Sequence, residues 1–137
     1  MLGCPAATRV ITYPEALLAI ARGLIADEEF NVAVVVAHMA CEISVERALL
    51  RAYEAKDTRF LAESAEEMLP CYNLAIDRVR SLYNAVTGNE IQQQPFWPAF
   101  RESATRRNQA VHEGKILTKA EAEASLKAAS DLVAFLR

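Results

Sequence analysis

Glycine and proline are scarce in this sequence, with four glycines and five prolines among 137 residues. Because these residues most often interrupt regular structure, we expect few turns and long elements. The three cysteines, Cys4, Cys41 and Cys71, lie far apart, and no CxxC or Cys/His cluster is present. This spacing favours neither a disulfide framework nor a zinc site, and it is typical of the reduced thiols of a cytoplasmic protein.

The sequence also has no excess of basic residues and no long apolar run. Its net charge is −3 and its pI is near 5.4, so any contact with nucleic acid has to be local. No apolar run reaches the roughly 18 residues that span a bilayer, which predicts no membrane segment. Hydrophobic residues make up 53% and charged residues 24%, a composition typical of one globular domain over residues 1–137.

Apolar residues recur with the spacing of α-helices along most of the chain. The pattern predicts an all-α fold, an up-and-down bundle of four to five helices. Between the second and third helices we expect a connection with one short turn of helix. The predicted helices lie roughly at residues 13–26, 28–55, 70–87, 95–113 and 118–136.

Several residues mark where these helices begin and end. Thr12–Glu15 and Thr118–Glu121 have the pattern of a capping box, in which a threonine and a glutamate satisfy the first backbone N–H groups of a helix. Pro70 is expected to open the third helix, because proline is tolerated in a first turn. Gly88 and Gly114 are expected to terminate the third and fourth helices.

The fourth predicted helix carries three polar residues close to its end, Arg107, Asn108 and His112. Asn108 and His112 are four residues apart and share a face, and Arg107 lies about 100° from Asn108. A structural interpretation is available, since a helix end tolerates polar side chains and a histidine there interacts well with the helix dipole. A functional interpretation is that histidine moves protons, arginine binds phosphate with a planar fork, and asparagine orients either one.

The local charge favours the functional interpretation. Residues 101–119 contain five basic side chains, Arg106 among them, against two acidic ones, whereas the whole chain is acidic. This combination suits phosphodiester chemistry without a metal or any other cofactor. Arg107 and His112 are nevertheless about 140° apart around one ideal helix. Two copies that meet across a two-fold axis would bring the groups together, which predicts a homodimer with a composite site.

The segment RNQAVH, Arg107–His112, resembles the R-N-x-x-x-H form of the R-x4-6-H motif of the HEPN superfamily. Trp97 and Phe100 upstream, the segment from His112 onward and YNAVTG at Tyr83–Gly88 are also similar to that superfamily. The resemblance covers roughly residues 13–137. It implies a helical bundle that dimerises through the helix bearing the motif.

The resemblance also implies an activity. Many HEPN domains are metal-independent endoribonucleases that leave a cyclic phosphate end. Many act as toxins beside a nucleotidyltransferase antitoxin or in defence against phage. Carried over to this chain, Arg107 would stabilise the phosphate, His112 would be the general acid/base and Asn108 would position them. Some HEPN toxins carry a tyrosine, modified by the antitoxin, two residues after the histidine, where this chain has Gly114.

Helix two adds two residues of interest. His38 lies in an apolar stretch and is predicted to be a core or interface histidine whose ring nitrogens are satisfied. Glu42 is predicted to face the motif helix and to support the site by pairing with Arg107, while Arg106 supports it with positive charge. Cys41 is expected to be a buried small residue and not a nucleophile.

Two functions remain open on the sequence. The intact motif favours an endoribonuclease with RNA as its substrate. The acidic pI and the absence of a wide basic surface favour a catalytically silent HEPN module that dimerises or binds a nucleotide or a protein.

Overall fold

The computed structural model describes residues 6–137, with the side chains of residues 13–65 and 67–137. No strand occurs in this part of the chain, so the predicted all-α class is confirmed, with six helices where four to five were predicted. Two short 3₁₀ turns, Arg59–Leu61 and Ile91–Gln93, precede the third and fifth helices. The helices are α1 (Ala6–Ala26), α2 (Phe30–Ala55), α3 (Ala62–Met68), α4 (Asp77–Thr87), α5 (Trp97–His112) and α6 (Lys119–Phe135).

Helix α2 lies at the centre of the bundle and contacts α1, α4, α5 and α6. It can do so because its first half is apolar nearly all round, as the sequence indicates. The main core joins α1, α2, α4, α5 and α6, and a smaller cluster of Ile25, Ala33, Val34, Leu117 and Ala122 lies where the chain passes from α5 to α6. None of the described helices combines the length and apolar character needed to cross a bilayer.

Helix α1 differs from the prediction at its start. It already runs from Ala6, so the start predicted near residue 13 is wrong, and Pro14 lies inside the helix. A capping box requires that the helix begin at its threonine, and here the preceding residues are helical too. Leu17, Leu18 and Ala21 are buried against the core.

The third predicted helix begins seven residues later than expected. Residues 69–76 are irregular, and α4 starts at Asp77, not at Pro70. Within this segment the buried Asn73 accepts a hydrogen bond from the Ala75 backbone N–H through its side-chain Oδ1, at 3.0 Å. Such a turn gives the backbone a local alternative to the helix. The helix ends as predicted at Gly88, which adopts a left-handed φ of 78°.

The last two helices lie close to their predicted bounds. Helix α5 begins at Trp97 and ends at His112, and Gly114 follows with a left-handed φ of 66°. At the start of α6 the predicted capping box is present, because the Thr118 side chain accepts from the Glu121 backbone and the Glu121 carboxylate accepts from the Thr118 backbone.

Candidate functional site

Helix α5 carries all three residues of the predicted motif at its C-terminal end. Arg107 is half-buried, and Asn108 and His112 are exposed. The Nη1 atom of Arg107 donates a hydrogen bond to Oδ1 of Asn108 at 3.0 Å. This hydrogen bond restrains the guanidinium. His112 is the last residue of α5, and its imidazole has no hydrogen-bond or ion-pair partner in the described part of the chain.

The core-facing side of α5 becomes open at the motif. Phe100 and Ala104 are 1% and 2% exposed, and Arg107 and Val111 continue the same line along the helix. Val111 is apolar but 48% exposed. Arg107 therefore points along the side of α5 that faces the core, at the place where the neighbouring helices no longer cover it.

Helix α2 runs antiparallel to α5. At its first turn, Asn31 donates from Nδ2 to the Lys115 carbonyl at 2.7 Å and accepts at Oδ1 from the Leu117 backbone N–H at 2.9 Å. Two turns later, the ring of His38 stacks on Phe100, with centroids 6.2 Å apart and planes at 16°. The start of α2 therefore lies beside the end of α5, where the motif is.

The antiparallel arrangement places Glu42 away from Arg107. Glu42 follows His38 by one turn in the direction that leads away from the motif, and its Oε1 lies 3.9 Å from Nε2 of His38. No ion pair within 4.0 Å joins Glu42 to Arg107 among the described side chains. The predicted pairing of these two residues is not formed, and among the described side chains the partner of Arg107 is the neutral Asn108.

His38 lies near the motif, and the sequence predicts its burial but not the lack of hydrogen-bond partners for its ring nitrogens among the described residues. Its side chain is 2% exposed, and neither Nδ1 nor Nε2 has a hydrogen-bond partner among the described residues. Burial, followed by the positive charge of Arg107, lowers the pKa of His38 from 6.5 to about 4. The predicted core position is correct, but the prediction that its nitrogens are satisfied is wrong. At neutral pH the ring is uncharged and acts as a flat packing group against Phe100.

Arg106 is directed towards α6 and not towards the motif. Its Nη1 donates to the hydroxyl of the buried Ser125 at 3.2 Å, and its Nη2 lies 3.3 Å from a carboxylate oxygen of Glu102. Only 16% of the side chain is exposed. Its charge is partly neutralised by Glu102, and its contacts serve the packing of α5 on α6.

Four large apolar side chains on α2, on the last turn of α5 and on the connection after α5 are exposed: Val32, Met39, Val111 and Ile116. Val32 and Met39 are seven residues apart and share one face of α2. Ile116 lies between the two residues that Asn31 binds, and it is 83% exposed. Val32 follows Asn31 in the sequence, so Val32 and Ile116 both border the contact that joins the start of α2 to this connection.

The remaining chemistry-bearing groups form no second centre beside the motif. Burial, followed by the charge of Glu42, raises the pKa of the Cys41 thiol, so this buried cysteine is not a nucleophile, as predicted. Among the residues with described side chains, no group of three or more His, Cys, Asp or Glu is placed to hold a metal ion. The three principal cavities of the described region are lined by residues other than Arg107, Asn108 and His112.

Comparison of the chain with known protein families, with curated proteins and with solved structures finds no match, and the HEPN resemblance of Arg107–His112 stays a prediction from the sequence.

Proposed function

We propose that this chain is a metal-independent endoribonuclease of the HEPN type, active as a homodimer. The observation that carries the proposal is the state of Arg107. Its guanidinium is oriented by Asn108, and no acidic side chain with described coordinates lies within 4.0 Å to neutralise it. A phosphate would therefore meet a charged, pre-oriented fork. His112 is exposed at the end of the same helix and available for proton transfer.

The chemistry follows from these groups and from the resemblance. The 2′-oxygen of one nucleotide attacks the adjacent phosphorus, and the bond from phosphorus to the 5′-oxygen breaks. The 2′-hydroxyl loses its proton and the departing 5′-oxygen gains one, which are steps for a general acid/base such as His112. Arg107 stabilises the charge that develops on the phosphate oxygens. The products are a cyclic phosphate end and a 5′-hydroxyl end.

A dimer is proposed because one chain does not bring the two groups together. Arg107 and His112 are separated by about 140° around α5 and by about 7.5 Å along its axis. The exposed Val111 lies one residue before His112 and one turn after Arg107, and an isologous contact through this end of α5 would bury it while placing the motifs of two chains side by side. A role as a toxin or in phage defence, in the cytoplasm and beside a nucleotidyltransferase antitoxin, is proposed from the resemblance alone.

The test is cleavage of a mixed RNA pool with a chelator present. We expect wild-type protein to cleave and to leave cyclic phosphate ends, while Arg107→Ala and His112→Ala lose at least about a hundredfold in rate. Arg101→Ala is the matched control, because Arg101 is an exposed arginine on the same helix. Cleavage that survives both motif substitutions would refute the assignment.

A mixing experiment tests the composite site. When the Arg107→Ala and His112→Ala proteins are mixed and allowed to exchange subunits, each mixed dimer contains one site with an intact arginine and an intact histidine. With half of the dimers mixed, about a quarter of the wild-type sites are restored. If activity does not return although mixed dimers form, both groups act from one chain and the composite site is wrong.

The second candidate function is a catalytically silent dimerisation, nucleotide-binding or protein-binding module. The net charge of −3 favours it, as does the position of the principal cavities away from the motif. A well-folded dimer that cleaves no RNA in the same assay would support this function and contradict the nuclease.

A further inference from the structure

A cavity of about 260 Å³ lies between α1, α2 and α6, in a different part of the bundle from the motif. Arg47 and Arg51 line it from α2, Arg137 lines it after the end of α6, and Glu15 lines it from α1. Arg47 is nine residues beyond His38, about 13 Å further along α2 from the motif end. The cavity therefore requires its own explanation, independent of the proposed nuclease.

The charges in this cavity do not balance. Arg137 is paired with Glu15, since its Nε lies 3.5 Å from a carboxylate oxygen of Glu15. Arg51 donates a hydrogen bond to the Leu136 carbonyl, which is neutral and leaves the charge of the guanidinium in place. Arg47 has no hydrogen-bond or ion-pair partner among the described side chains. The positive charges of Arg47 and Arg51 on the wall of this cavity thus form no ion pair with any side chain that the structure describes.

The cationic groups are held on a rigid element. Ser44, Arg47 and Arg51 are three and seven residues apart on α2, so they follow one face of the helix into the cavity. The contact of Arg51 with the Leu136 carbonyl restrains its side chain. A guanidinium that is already ordered loses less entropy when it binds a planar or tetrahedral oxyanion.

The size and the lining restrict the ligand. The volume is slightly below that of pockets for drug-sized molecules, which begin at roughly 300 Å³. Val133 and Leu136 supply an apolar part of the wall, and none of the described side chains that line the cavity is aromatic and able to stack on a base. A small anion with two negative charges and a short organic part matches these features.

We propose that this cavity is a binding site for a small phosphate-bearing molecule, with Arg47 and Arg51 as the phosphate ligands and Ser44 as an additional donor. Glu15 acts in the opposite sense, because its carboxylate repels an anion and also occupies Arg137.

The test is isothermal titration of the full chain with inorganic phosphate and pyrophosphate at low ionic strength. We expect saturable binding to wild-type protein and at least about a tenfold weaker affinity for Arg47→Gln and Arg51→Gln, since each loses a charged hydrogen bond. Arg78→Gln is the matched control, because Arg78 is an exposed arginine on α4 outside the cavity.

Glu15→Gln is expected to change the affinity for pyrophosphate in the opposite direction. We expect it to bind pyrophosphate more tightly than wild type, because it removes a negative charge and frees Arg137. Arg47→Gln carries the test if Arg51→Gln does not fold, because Arg47 has no partner to lose among the side chains that the structure describes. No binding by folded wild-type protein at millimolar pyrophosphate, or equal binding by Arg47→Gln, would overturn the proposal. Neither result depends on RNA cleavage.

Discussion

Replacing His38 is expected to remove a pH-dependent loss of stability from this protein. In the folded chain burial and Arg107 hold the pKa of His38 at about 4, against an ordinary value of 6.5 in the unfolded chain. As the pH falls from 6.5 towards 4, the unfolded chain binds a proton at His38 that the folded chain does not. The free energy of unfolding therefore falls over this window and, through this group, falls no further below it.

The size of the effect follows from the two pKa values. A difference of one in pKa between the folded and unfolded chain corresponds to about 1.4 kcal/mol in the free energy of unfolding. The complete loss of stability due to His38 is therefore about 3 kcal/mol, and about 2 kcal/mol of it has occurred by pH 5. The Glu42 carboxylate at 3.9 Å from Nε2 favours the proton, but burial and the charge of Arg107 outweigh it.

The assay is urea unfolding of wild type and His38→Leu at pH 7 and pH 5, followed by circular dichroism. Carboxylate titration is common to both proteins and cancels, so we expect wild type to lose about 2 kcal/mol more than the variant. At pH 7 the variant should be at least as stable as wild type, because it removes two buried nitrogens without partners.

Val111→Ala is the control for this experiment, since it changes an exposed side chain that does not titrate and should keep the wild-type pH dependence. Equal losses in wild type and His38→Leu would refute the reasoning that His38 is buried in its neutral form.

Two further predictions concern stability at neutral pH. Gly88→Ala should destabilise the protein by about 1 kcal/mol, because Gly88 has a left-handed φ of 78°. Gly23→Ala should stabilise it by about 0.5–1 kcal/mol, since an added Cβ inside α1 meets no atom within 4 Å. Thermal unfolding of both variants measures the sign of each change, and a gain in stability from Gly88→Ala would contradict the reasoning. Arg106→Ala should lower the free energy of unfolding by about 1–3 kcal/mol, because it removes the hydrogen-bond donor to the buried Ser125 hydroxyl. Arg101→Ala, on the exposed side of α5, should lower it by less than about 0.5 kcal/mol. Similar losses of stability for the two variants would show that the contact of Arg106 with α6 contributes nothing.

The sequence predicts helices well where local signals agree with long-range packing. At Thr118–Glu121 the capping box lies where the loop from α5 must turn, and the helix begins there. At Thr12 the same pattern lies within a longer helix, because no glycine or proline occurs among residues 6–11 to stop the chain from being helical. At Pro70 the proline permits a helix start, but the side chain of Asn73 stabilises a turn that delays it to Asp77.

The surroundings of the motif were less predictable, because they depend on how α2 and α5 run past each other. Arg107, Asn108 and His112 can be assigned to the end of one helix from spacing alone, and they lie there. Whether Glu42 or His38 lies nearer to Arg107 depends on the antiparallel direction of α2, which no local pattern encodes. The stacking of His38 on Phe100 joins residues far apart in sequence and has no local signal.

The hydrogen bonds of Asn31 restrict which residue the first turn of α2 can carry. Its side chain donates to one backbone group of the α5–α6 connection and accepts from another two residues further on. An aspartate of the same shape would present a second acceptor to the Lys115 carbonyl, a leucine would satisfy neither group, and a glutamine would be one methylene too long. The side chain at position 31 must therefore both donate and accept a hydrogen bond, although it lies neither in the deep core nor among the motif residues. Related sequences that keep this connection would be expected to keep the amide.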